Sequence, residues 1–257
     1  MPGKHFKAEY IDFRNSVVSG NQFVLDETAN AFLNGIRKSV KPRVVHLPKG
    51  SNLYRAQYGC RQIDWDENPE PLRCHGKKRM LPDRKHVRAG RANADYKAVF
   101  YASISPDIAV KELRPWIGSY LSVARFRVKR DLEIVNLFDA YGGFMKGFEL
   151  AVRRSQLKGK EYDDYVWHCI GEAFCQPVTL SDDPHSYLPT QIIAELIKSM
   201  GYDGLAYRSS TEPERKSQQD AGANVALFDP DAVSIQQRGW VVKVTSLEVE
   251  IDNGPHY

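Results

Sequence analysis

Apolar positions along the chain follow two rhythms. In TQIIAELIKSM (190–200), Ile192, Ile193, Leu196, Ile197 and Met200 recur three and four residues apart. That spacing predicts an amphipathic helix, with Gly201 placed to end it. DETANAFLNGIRKS (26–39) repeats the rhythm through Ala29, Leu33 and Ile36, and Asp26 can cap its start. SPDIAVKEL (105–113) predicts a shorter helix: Ser105 caps, Pro106 takes the first helical position, Asp107 complements the dipole, and Pro115 prevents continuation. Residues 144–176 also read as helical, with charged turns. YLSVARFRVKR (120–130) alternates instead, setting Ala124, Phe126 and Val128 against Arg125, Arg127 and Lys129. This is the pattern of a half-buried strand. Further strands are predicted in KPRVVHLPKG (41–50), SNLYRAQ (51–57), KAVFYAS (97–103), DGLAYRSS (203–210), NVALF (224–228), AVSIQQ (232–237) and GWVVKVTSLEVEI (239–251). Strands and helices mix without regular alternation. The expected class is therefore α+β rather than a doubly wound parallel sheet.

With 257 residues, 42% hydrophobic and 26% charged, the chain suits one large domain, or one domain with an appendage. No run of 18 apolar residues is present, which argues against a spanning helix. MPGKHFKAEYIDFR is charged and lacks an apolar signal core, so the expected location is cytoplasmic. Cys60, Cys74, Cys169 and Cys175 form no CxxC pair. A zinc site would need Cys60, Cys74, His75 and His168 to converge at non-standard spacing. The expectation is no metal and reduced thiols.

The net charge of +4 is unevenly spread. IDWDENPEPL (63–72) is acidic, whereas RCHGKKRMLPDRKHVRAGR (73–91) carries eight Lys/Arg against one Asp. A solvated loop and an electropositive mouth for phosphates are both compatible with that run. The stretch after residue 57 is polar, charged and broken by prolines, and reads as a long loop.

No GxGxxG follows a strand, no GxxxxGK[ST] occurs, and YGGFMKGF (141–148) has the wrong spacing. HExxH, GxSxG, kinase and RNA-binding signatures are absent too. A nucleotide would have to be held by side chains on another scaffold. Arg55 and Tyr54 point to opposite faces of their strand, so one faces inward. Arg91 lies in a turn between Gly90 and Ala92, where a ligand can approach. Arginine suits bidentate contact with phosphate oxygens, although a lone Arg taken by itself reads first as a surface or ion-paired residue. Of Phe100 and Tyr101, one ring should pack in the core and the other face a cleft. Glu112 lies i+4 from Ile108 and i+3 from Ala109, on the side of its helix expected to face the protein. An inward carboxylate there is either a rim residue or a group that grips ribose hydroxyls and steadies developing positive charge. Ser209 and Ser210 end a strand, where small hydroxyls line sites or cap turns.

Together, LYRA (53–56), GRAN (90–93), VFYAS (99–103), AVKELRP (109–115), YLPTQIIAELIKSMGYDGLAYRSS (187–210) and GANVALFDP (222–230) resemble the RES domain, named for its Arg, Glu and Ser. The resemblance runs from Ser51 to Pro230. Departures are a long charged insertion between Arg55 and Arg91, and Ala221-Gly222 where the family usually pairs glycines. The resemblance implies an ADP-ribosyltransferase-like fold, with a central split, mostly antiparallel sheet flanked by helices. It implies a catalytic domain over 51–230, an N-terminal helical or extended appendage over 1–50, and a C-terminal β extension over 231–257. It implies a bacterial toxin that degrades NAD⁺ by hydrolysis or phosphorolysis and is neutralised by an Xre-type antitoxin. Some members instead transfer ADP-ribose to a protein. Arg55 and Arg91 would grip the phosphates. Tyr101 would lie near the nicotinamide, Glu112 would be the acidic residue, and Ser209, or Ser210, the serine. NAD⁺ would be substrate rather than cofactor, with inorganic phosphate as a candidate co-substrate. No membrane or direct nucleic-acid role is expected, and homo-oligomerisation stays open.

Overall fold

The computed structural model describes residues 5–20, 24–61, 72–83, 85, 87–138, 154–176, 184–211, 222–236 and 239–247. Six α-helices occur among them: α1 (Tyr10–Ser19), α2 (Glu27–Ser39), α3 (Lys77–Met80), α4 (Pro106–Lys111), α5 (Lys160–Cys175) and α6 (Leu188–Ser199). Nine strands accompany them: β1 (Val44–Leu47), β2 (Asn52–Tyr58), β3 (Phe100–Ser103), β4 (Tyr120–Val128), β5 (Leu132–Asn136), β6 (Gly204–Arg208), β7 (Ala223–Leu227), β8 (Val233–Ile235) and β9 (Trp240–Lys243).

The caps act as the sequence predicts. Asp26 accepts from the Ala29 amide at 2.8 Å, and Ser105 accepts from Ile108. Three features differ. Helix α1 and strand β5 were not anticipated, and the stretch expected to be a loop contains the single turn α3. Helix α1 buries only Phe13 and Val17, a stripe too thin to stand out. Strand β5 has only five residues and follows closely on β4, so it does not stand apart from that strand in the sequence. Of the helical reading over 144–176, α5 and a 3₁₀ turn at Arg154–Gln156 are seen; residues 144–153 lie outside the described residues.

The strands form one sheet in the order β1-β5-β6-β7-β3-β2-β4-β8, with β9 also paired to β4. Only β5 and β6 run parallel; the other pairs are antiparallel. The class is thus α+β with a mostly antiparallel sheet flanked by helices. Strands β2 and β4 share seven register pairs from Asn52↔Arg127 to Tyr58↔Leu121. Strands β2 and β3 share one, Tyr54↔Ser103. The sheet therefore parts along the β2–β3 line, which is the split expected at its centre.

Alternation along β5, β6 and β7 sends Val135, Leu205, Tyr207 and Ala226 to one face and Ile134, Ala206, Val225 and Leu227 to the other. The first face is covered by α1, α2, α5 and α6 around Phe6, Phe13, Phe32 and Trp167. Phe13 stacks on Phe32 with ring centroids 4.5 Å apart. Buried Asp163 of α5 ties the N-terminal segment down. Its Oδ1 accepts from the His5 and Phe6 amides at 3.0 and 3.1 Å, and its Oδ2 lies 2.7 Å from His5 Nδ1. Strands β8 and β9 lie along one edge of β4, which continues the sheet past residue 230.

Candidate active site

A cavity of about 410 Å³ opens where β2 and β3 part. Arg55, Arg91, Tyr101, Glu112 and Ser210 all line it, with Asn224 beside them. Residues far apart in the chain thus meet around one hollow.

Arg55 leaves β2 and donates from Nη1 to the main-chain oxygen of Tyr101 at 2.8 Å. Its carbon centre sits 5.6 Å from the Phe100 ring centroid. Its Nε is sealed from solvent and has no hydrogen-bond partner among the described residues. Among the described residues no carboxylate pairs with it. Burial pulls its pKa down to about 10, because a guanidinium stripped of water favours losing charge. A desolvated, half-satisfied cation is costly to keep. An anion in the cavity would relieve that cost.

Arg91 sits in a tight turn closed by reciprocal bonds between Gly90 and Asn93, the amide of Gly90 donating at 2.9 Å. Tyr101 rivets this turn. Its hydroxyl accepts from the Ala92 amide at 2.8 Å and donates to Asn93 Oδ1 at 2.7 Å. Gln191 of α6 adds bonds to the Gly90 and Asn93 carbonyls at 2.9 and 3.0 Å. A Cβ on residue 90 would stand 2.9 Å from the Tyr101 hydroxyl oxygen, which explains the glycine. Arg91 itself donates to the Gln176 carbonyl at 2.8 Å. The paired expectation for Phe100 and Tyr101 holds: Phe100 is fully buried and Tyr101 lines the cavity. Burial drives the Tyr101 phenol well above its usual pKa. Its hydroxyl is consumed within the protein, which leaves the ring for a ligand.

Helix α4 stops at Lys111, so Glu112 is its C-cap rather than an interior residue. The cap position turns the side chain into the cavity. Oε1 of Glu112 accepts from Ser209 Oγ at 2.5 Å and from Asn224 Nδ2 at 2.7 Å. The two serines divide their work. Ser209 is fully buried and bonds Glu112, while Ser210 lines the cavity.

Asn224, Ser103, Tyr187 and Tyr207 also line the cavity and were not singled out from the sequence. Asn224 left a signal. It is the one amide in ANVAL, a strand whose five residues are all buried. A buried amide needs partners, and there they lead to Glu112. Burial pushes the Tyr207 phenol up to about 12. Among the described residues no cluster of three or more His, Cys, Asp and Glu could hold a metal ion. All four cysteines are free.

The α+β sheet thus splits over a cavity that holds two arginines and a braced carboxylate. The RES domain family matches over residues 70–250, and the chain belongs to it. Arg91, Tyr101, Glu112, Ser209 and Ser210 fall inside that span, and Arg55 just before it. Comparison with curated proteins gave no match. Among solved structures the chain is similar to one from M. tuberculosis, the crystal structure of the MbcT-MbcA toxin-antitoxin complex. That likeness has 13% identity, covers 81% of this chain and 91% of that one, and gives a TM-score of 0.34. Among the described residues no helix is long and apolar enough to cross a membrane.

Proposed function

We propose that the protein cleaves the nicotinamide–ribose bond of NAD⁺, with water or inorganic phosphate as acceptor. The observation that carries this is the pairing, in one cavity, of the half-satisfied Arg55 cation with the braced carboxylate of Glu112. The first asks for an anion, and the second for a ribose that turns cationic. Arg55 and Arg91 hold the pyrophosphate. The Tyr101 ring packs the departing nicotinamide.

The electron pair of the glycosidic C–N bond leaves with nicotinamide, which departs neutral, so no strong acid is needed. Positive charge then develops on the ribose, where Glu112 stabilises it. Position accounts for much of the remaining acceleration. Water adds its oxygen to the anomeric carbon and releases a proton, giving ADP-ribose. Phosphate oxygen in the same role gives the 1-phosphate ester.

Purified protein mixed with NAD⁺, with and without phosphate, should release nicotinamide. The second product, separated by chromatography, identifies the acceptor. Glu112→Ala and Arg91→Ala should each lower turnover by about 10²-fold or more. Intact NAD⁺ after long incubation at high enzyme concentration overturns the reading. Radiolabel that ends on protein, with little free ADP-ribose, assigns transfer to a protein acceptor instead. In the cell the same activity would make the chain a toxin that depletes NAD⁺ and is held in check by an Xre-type antitoxin. Growth arrest on expression, relieved by Glu112→Ala, tests that role.

A further inference from the structure

The geometry points to Asn224 and Ser103 as positioning residues that set which oxygen of Glu112 meets the substrate. This rests on the cavity binding NAD⁺ as proposed above.

Ser103 of β3 and Asn224 of β7 are direct register partners, so their side chains leave the sheet on the same face. Both are buried. Ser103 Oγ donates to Asn224 Oδ1 at 2.7 Å. That bond fixes the amide, whose nitrogen then faces Glu112 and donates to Oε1 at 2.7 Å. The arrangement is self-consistent, because a carboxylate oxygen accepts and only the NH₂ edge of the amide can donate. Ser209 gives its hydroxyl to the same Oε1, and its own oxygen is steadied by the Thr211 amide at 3.2 Å.

Two donors therefore converge on one oxygen. Oε2 has no partner among the described residues, and Glu112 lines the cavity. With Oε1 occupied, the carboxylate has Oε2 to present to the ribose. Buried polar chains of this kind rigidify when every member is satisfied, and misplace their end group when one is lost. A misplacement of about 1 Å at a reacting group costs on the order of 10²-fold in rate.

Asn224→Asp is the decisive variant. It keeps size and shape but sets a second carboxylate against Oε1. Two carboxylates at that distance repel, which raises the pH at which the pair takes up a proton. The proton they share at lower pH restores a donor where the amide nitrogen stood. We expect kcat to fall by about 10²-fold at neutral pH, with KM little changed. We expect it to climb back as pH is lowered, a recovery absent from wild type and from Asn224→Ala. Ser103→Ala, which frees the amide to flip, should lose part of kcat, and Ser103→Thr should restore it.

A second measurement does not depend on turnover. Isotope-edited infrared difference spectra of wild type and Glu112→Gln isolate the Glu112 carboxylate bands. Those bands should shift in Asn224→Ala with the melting temperature of the fold retained. Unshifted bands overturn the proposal. So does an Asn224→Asp enzyme that is as active as wild type, or one that shows no acid recovery. Wild type inert toward NAD⁺, with the bands still shifted in Asn224→Ala, refutes the substrate and leaves the positioning of Glu112 standing.

Discussion

Arg55 donates its Nη1 to the carbonyl of Tyr101 at 2.8 Å, across the line where β2 and β3 share one register pair. The bond puts the cation in the seam of the sheet and ties it to the residue that rivets the Arg91 turn. The two arginines and the Tyr101 ring are thus parts of one assembly. The side chain stands in for ladder bonds that the two strands do not make.

That placement predicts a trade between stability and binding. In Arg55→Met the seam keeps its bulk and loses a buried, half-satisfied charge. Replacing buried ionic groups with apolar ones is often neutral, or stabilising by about 1–4 kcal/mol. The variant should melt at or above the wild-type temperature without ligand. Wild type should melt higher when NAD⁺ is added, by linkage, and Arg55→Met should not. A variant that melts much lower without ligand would show that the cation supports the fold rather than the site.

Tyr101→Phe separates ring from hydroxyl. The ring stays in the cavity, while the Ala92 amide and Asn93 Oδ1 lose their shared partner. An unsatisfied buried donor costs about 1–3 kcal/mol. The turn that carries Arg91 should loosen. KM for NAD⁺ should rise more than kcat falls, as expected for weakened binding. If kcat alone collapses in steady-state assays, the hydroxyl acts on the substrate and the rivet reading is wrong.

Much of this was legible before any coordinates. Helices α2, α4 and α6 announce themselves by caps and period, and β4 by alternation. Of these, α4 leads into Glu112 and α6 braces the turn around Arg91; the expectation that four dispersed residues share one cavity came from the family resemblance. Asn224 was missed because its neighbours Ala223 and Val225 read as plain strand. Its meaning lies in a register partner 121 residues away, Ser103. Strand β5 was missed because its pairing with β6 is parallel and non-local. The division of labour between Ser209 and Ser210 depends on which of two adjacent hydroxyls faces α4, and only the fold decides that.

Alkaline unfolding offers a check on the tyrosines. Burial raises Tyr10, Tyr162 and Tyr207 from the ordinary 10.0 to about 12. Folded pKa values above unfolded ones mean stability that is full below pH 10 and lost as pH climbs toward 12. The unfolded chain releases those protons first. Exposed Tyr58, Tyr96 and Tyr120 should ionise first, and a later phase of phenolate absorbance should rise together with loss of tertiary circular dichroism. In Tyr207→Phe the fall of denaturant-measured stability with pH above 10 should be shallower. A Tyr207→Phe protein whose stability falls with pH as steeply as wild type would mean this ring is open to water.

The first residues of the chain can be tested at Gly35. Alanine normally stabilises a helix interior over glycine by about 1 kcal/mol. At Gly35 the sign should reverse. A Cβ there would lie 2.4 Å from Phe6 Cδ1 and 3.0 Å from Phe6 Cα, and the Phe6 backbone is held by Asp163. Phe6 is fully buried and packs within 5.9 Å of the Trp167 ring centroid, so it has nowhere to retreat. Overpacking of this kind costs about 1–3 kcal/mol. Gly35→Ala should lower the melting temperature and speed hydrogen exchange at the His5 and Phe6 amides. NAD⁺ turnover at low temperature should persist, because neither residue lines the cavity. An alanine variant as stable as wild type would show that the N-terminal segment only rests on α2, and that Phe6 is not part of the core.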